Sequence, residues 1–145
     1  MTTWTIDTTR LPLPDHAAPL HLLLAVDEAT GAITMAHLID GSDDGAVARA
    51  LTDAVDGRPA PCAIATDHSR TFGTDPNSAL RTACNALGIS IKPIRTLTPC
   101  SKAHAEQALS TVLRHLSPAR TRAALDALLP RAVDAHHRRR RLGTA

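Results

Sequence analysis

Apolar and polar positions along the 145-residue chain alternate in blocks that read as nine elements. Residues 4–11 have the composition of a strand, with Asp7 interrupting the apolar run. Pro12, Pro14 and Pro19 then mark an irregular connection. The runs 20–26 and 32–39 read as a second and third strand. Between them, Asp27-Glu28-Ala29-Thr30-Gly31 is a tight hairpin turn, with Gly31 suited to a positive φ. Helical spacing takes over after Gly41-Ser42-Asp43-Asp44, where Ser42 or Asp43 is the expected N-cap, and Val47, Leu51, Ala54 and Val55 recur on one face. Gly57-Arg58-Pro59 ends that helix, and the short apolar run 62–65 reads as a buried fourth strand. Asp75-Pro76-Asn77 starts a second helix over 78–87, closed by Gly88 at the C′ position. Residues 89–93 form a short fifth strand and 96–99 a loop. Ser101 caps a third helix over 102–116, with Ala105, Leu109, Val112, Leu113 and Leu116 as its apolar side. Pro118 begins a last helix that runs to about His137.

Three antiparallel strands followed by β-α-β units with right-handed crossovers predict an α/β architecture. The sheet is five-stranded and mixed, with helices on its faces. This is the element order of ribonuclease H-like folds, in which the first and fourth strands are neighbours. The length suits one domain. Residues 1–117 are read as its core, and 118–145 as a C-terminal helix and basic tail of the same domain.

Composition changes this picture little. An apolar fraction of 43% and a charged fraction of 21% are those of a soluble globular protein. Trp4 and Phe72 are the only large aromatics, so the core is aliphatic. The first ten residues are polar, without the apolar stretch of a signal peptide, and no apolar run is long enough to span a membrane. Cys62, Cys84 and Cys100 are odd in number and lie in apolar or helical contexts, which predicts reduced thiols in a cytoplasmic protein. Cys100 and His104 match no paired-cysteine zinc spacing, and His136-His137 reads as solvent-exposed. The net charge of +2 hides Arg138, Arg139, Arg140 and Arg141 in a row, ordinarily a solvated end.

Asp67, at the mouth of the buried fourth strand, is costly unless a cation sits opposite it. Groups at the carboxyl ends of such strands face the site crevice. Asp7 and Glu106 qualify as its companions. Three convergent carboxylates are stable as anions around a hard divalent ion such as Mg²⁺ or Mn²⁺. Two such ions can activate an attacking oxygen and stabilise a leaving one in phosphoryl transfer. Two of these residues also have a plainer reading. Asp7 could face solvent from a half-exposed strand, and Glu106 could pair with Lys102 on the helix surface.

Four segments carry a family resemblance. Trp4-Thr5-Ile6-Asp7-Thr8-Thr9 resembles the opening W-x-x-D-x-T strand of the DDE integrases and transposases, and Leu24-Ala25-Val26-Asp27-Glu28-Ala29-Thr30 resembles their second strand and turn. Ile64-Ala65-Thr66-Asp67, continuing to Phe72, resembles their T-D-N-G-x-x-F segment. Pro99, Ser101 and Glu106 resemble the start of their glutamate-bearing helix, and the 38 residues between Asp67 and Glu106 are close to the family's habitual spacing. The tail from Ala132 to Gly143 resembles a worn form of the ending found in bacterial insertion-sequence enzymes.

The resemblance implies a retroviral-integrase-like catalytic core that hydrolyses a DNA end and transfers the strand to target DNA. Asp7, Asp67 and Glu106 would be catalytic residues and ligands of two Mg²⁺ or Mn²⁺ ions. Lys102, Arg70, Arg95, Arg114 and His68 would be DNA contacts. The implied partners are element ends and target DNA and a second copy of the chain, in the bacterial cytoplasm at the nucleoid, with no membrane. His68-Ser69 stands where the family has Asn-Gly. That departure keeps two alternatives open: a catalytically decayed DDE-like module for DNA binding or oligomerisation, and a plain RNase H-like nuclease.

Overall fold

A computed structural model of the chain describes residues 2–13, 19–40, 44–66, 78–93 and 97–143. Its strands are β1 (Thr3–Leu11), β2 (Leu20–Asp27), β3 (Ile33–Asp40), β4 (Ala63–Thr66) and β5 (Ser90–Pro93). They form one sheet in the order β3-β2-β1-β4-β5. The β1–β2 and β2–β3 pairs are antiparallel, and the β1–β4 and β4–β5 pairs are parallel. The expected adjacency of the first and fourth strands is therefore present.

Helices α1 (Asp44–Val55) and α2 (Ala79–Leu87) cover one face, while α3 (Pro99–Leu116) and α4 (Arg122–Gly143) cover the other. The sheet is central because β2 is apolar on both sides. Leu23 and Ala25 join Ile6, Leu51 and Leu80 on the α1–α2 side. Leu22, Leu24 and Val26 join Val112, Leu116, Leu125 and Leu129 on the α3–α4 side. A strand buried on both faces needs no alternation, which is why residues 20–26 read as one continuous apolar run. Leu22 and Leu23, both at zero exposure, each stabilise the fold by about 2 kcal/mol through burial.

Several element ends differ from the sequence reading. Thr98, not Ser101, caps α3: its hydroxyl accepts from the Ser101 amide at 3.2 Å, and Pro99 occupies the first turn where no amide is needed. The α2 cap is Ser78, whose hydroxyl accepts from Arg81 N, and Gly88 closes the helix at φ 73°. The last helix starts at Arg122 rather than Pro118, with Thr121 accepting from the Ala124 amide. It also continues beyond His137 through the arginine run to Gly143. The Asp27–Ile33 connection is the expected turn. Asp27 Oδ1 accepts from the amides of Ala29 (2.8 Å) and Thr30 (3.1 Å), and Gly31 takes φ 74°. The proposed caps Ser42 and Asp43, and Phe72, lie outside the described residues.

Candidate metal-carboxylate site

Asp7 sits in the middle of β1, directly opposite Leu24 of β2. Paired residues share a face of the sheet, and Leu24 packs with α3 and α4, so Asp7 projects on that side. The carboxylate is half-buried, and its Oδ1 accepts from the Thr8 amide at 2.8 Å. Next to it, β4 ends in the buried Thr66. The predicted site residues Asp67, His68 and Arg70 follow immediately and lie outside the described residues, as does Arg95.

Glu106 is exposed on α3. Leu109 and Leu113, one and two turns further on, pack partly against the α3–α4 core, so Glu106 borders the apolar side of its helix. It makes no ion pair with Lys102 among the described residues, so the surface-pair reading is not what the side chains do. Lys102 is half-buried one turn before Glu106, and Arg114 is exposed two turns beyond.

The start of α3 is tethered to the turn after β2. His104 Nδ1 lies 2.9 Å from the carbonyl oxygen of Glu28 and donates to it, while its Nε2 lies 3.9 Å from Cys100 Sγ. The Glu28 amide in turn donates to the Thr3 carbonyl at 3.0 Å, at the beginning of β1. These two bonds link the start of the glutamate-bearing helix to the start of the strand that carries Asp7.

The end of α4 meets the same turn. His136 is fully buried, with Nε2 2.8 Å from the Gly31 carbonyl oxygen, and His137 Nε2 accepts from the Ile33 amide at 3.0 Å. The expectation that this pair is solvent-exposed is corrected. His136 continues the stripe of Leu125, Leu129 and Ala132 at helical spacing, and that periodicity is the signal that marks it as inward-facing. Burial, against the hydrogen bond to Gly31, lowers its pKa below the ordinary value of 6.5. The importance of His104 has no comparable signal, because its partner is a backbone atom 76 residues away.

Oxygen donors on one sheet face suit a hard divalent cation, and the Asp7 carboxylate, with one oxygen held by a backbone amide, fits such a role. Among the described residues no three His, Cys, Asp or Glu side chains converge on a metal position. The Cys100–His104 pair gains no further ligand there. All three cysteines are free thiols, as the sequence suggested. The apolar hollow lined by Leu11, Leu113, Leu116 and Leu125 lies at the far end of α3 from Glu106.

No family model matches the chain, and no curated protein matches it in sequence. Its structure does have close counterparts. The catalytic core domain of BIV integrase superposes with a TM-score of 0.66 at 21% identity, over 88% of this chain and 80% of that one. The HTLV-2 integrase catalytic core domain, in a complex with magnesium, gives 0.65 at 16% identity, over 90% and 81%. A chain of the simian T-cell lymphotropic virus intasome, in a complex with PP2A regulatory subunit B56 gamma, gives 0.68 at 19% identity, over 88% of this chain and 46% of that one. The chain thus has the ribonuclease H-like fold of retroviral integrase catalytic cores, with the same five-stranded mixed sheet and flanking helices.

Proposed function

We propose that this domain is the catalytic core of a DNA transposase or integrase, a metal-dependent polynucleotidyl transferase of the bacterial insertion-sequence type. One observation carries the reading. In the parallel β1–β4 pair, Thr3 faces Ala63, Trp4 faces Ile64 and Thr5 faces Ala65. β1, which carries Asp7, is thus the parallel neighbour of β4, which ends at Thr66, the residue before Asp67 in the sequence. The fold shared with integrase cores, one of them a magnesium complex, supports the same assignment.

Asp7, Asp67 and Glu106 would hold two Mg²⁺ or Mn²⁺ ions. When bound, such ions activate the attacking oxygen and stabilise the departing one. The chain's own part is positional. The Thr8 amide orients the Asp7 carboxylate, and the His104–Glu28 bond holds the start of α3, the helix that carries Glu106. Lys102, Arg70, Arg95, Arg114 and His68 would steady the phosphate backbone of DNA, and a homodimer would present two DNA ends to one target. Residues 1–117 would supply the core and 118–145 the closing helix and tail. Cytoplasmic residence at the nucleoid accords with these partners, and no helix among the described residues is long and apolar enough to cross a membrane.

The test is a branched DNA that mimics a strand-transfer product, supplied with Mn²⁺. Cleavage and rejoining by the parent, lost in Asp67→Asn, Asp7→Asn and Glu106→Gln, is the expected result. Cleavage without joining would assign a nuclease instead. A folded parent that is silent, and whose melting temperature Mn²⁺ does not raise, would favour the decayed module that the His68-Ser69 departure allows.

A further inference from the structure

The arginine run at the end of α4 has a fixed position. Helix α4 starts beside Asp40 at the end of β3, where Arg122 pairs with that carboxylate at 3.4 Å, and it finishes on the β2–β3 turn. Helix α3 runs the opposite way, from the Glu28 tether to Leu116. The C-terminal part of α4 and the first turns of α3 are therefore brought to one turn of chain, residues 28–33. There the run is held from three sides. His136 donates to Gly31 O, His137 accepts from Ile33 N, and the Arg140 guanidinium lies where a Cβ on residue 31 would have to go. A frayed, solvated tail would show no such bonds.

Two of the four charges have no acidic partner among the described residues. Arg138 and Arg139 are exposed and make no ion pair among the described residues, although Asp134 stands one turn behind Arg138. Cations complement the dipole at a helix C-terminus, a need that one or two of them meet. Further like charges on successive residues repel one another and call for an external anion. Arginine forks suit phosphate oxygens in particular.

We propose that the C-terminal end of α4 is a second nucleic-acid surface, in which Arg138 and Arg139, just before its last turn, contact phosphodiester groups of duplex DNA. The choice of DNA as the polyanion rests on the function proposed above, but the contact requires no catalysis.

Binding of a short duplex, followed by fluorescence anisotropy across a salt series, tests it. Arg138→Gln/Arg139→Gln should weaken binding at least about tenfold and lower the slope of log K against log salt by about 2. A control with the same charge change on the opposite face, Arg49→Gln/Arg58→Gln, should stay within about twofold of the parent. Arg138→Lys/Arg139→Lys should keep the parent's slope, which separates lost charge from a damaged helix. Binding is measured without Mg²⁺ or Mn²⁺, so a silent catalytic site and a failed DNA surface are distinguishable. The proposal is overturned if the parent does not bind the duplex or if the two Gln pairs weaken binding equally. It is also overturned if the protein binds phosphatidylglycerol vesicles but no duplex.

Discussion

His136→Leu isolates the most consequential buried contact in the α4–turn junction. The parent imidazole is fully buried, donates from Nε2 to Gly31 O, and leaves Nδ1 without a partner among the described residues. Leucine fills similar space, so the cavity contribution is small. What changes is polar. The Gly31 carbonyl loses its donor in a buried turn, costing about 1–3 kcal/mol, while removal of the unpaired Nδ1 returns about 1 kcal/mol. The net loss at neutral pH is about 0–2 kcal/mol, or up to about 7 °C in Tm for a chain of this length. The pH dependence is the sharper signature. Burial lowers the folded-state pKa of His136 below the unfolded value of 6.5, so the folded state binds fewer protons there. The parent's stability is therefore flat at this group above 6.5 and falls as pH drops below it, by at most about 1.4 kcal/mol per pH unit. The leucine variant has no such loss, so the two stability curves converge under acid conditions. Urea unfolding of both proteins at about pH 8 and about pH 5 measures this. An equal gap at the two pH values would refute the reasoning.

Gly31→Ala should cost about 1 kcal/mol, read as a lower urea midpoint with unchanged m-value, because φ 74° is strained for any side chain and the new methyl also displaces the Arg140 guanidinium. In the folded protein a thiol reagent should label Cys62 and Cys100 quickly and Cys84 only on unfolding. The first two are exposed, whereas burial pushes the Cys84 thiol up to about 11. Rapid labelling of all three without denaturant would contradict the buried position of α2 against the sheet.

Much of the fold was legible because its elements announce themselves locally. The Asp27–Gly31 turn, the Gly88 stop and the apolar run of β2 each follow from short-range chemistry: side-chain acceptors, a left-handed backbone and double-sided burial. The order of those elements implies the β1–β4 adjacency through the handedness of crossovers. Helix starts were less legible. Thr98 and Ser101 are both competent caps, and Pro99 decides between them only once the helix direction is set. Asp7 was legible as a candidate, but its half-buried setting depends on Leu24 across the ladder and on α3 and α4 above it.

The reach of the chain beyond each element was invisible in one dimension. His104 finds Glu28, and His136 finds Gly31 105 positions away, through backbone carbonyls that leave no trace in residue type. An imidazole next to four arginines reads as solvated, and burial follows only when the stripe of Leu125, Leu129 and Ala132 is laid against the sheet. Hydrophobic periodicity and turn chemistry are properties of neighbours along the chain, so sequence alone determined the elements, their order and the sheet they build. Which polar groups are withdrawn from water, and which two helix ends share one turn of chain, are properties of neighbours in space, and the packed structure alone decided them.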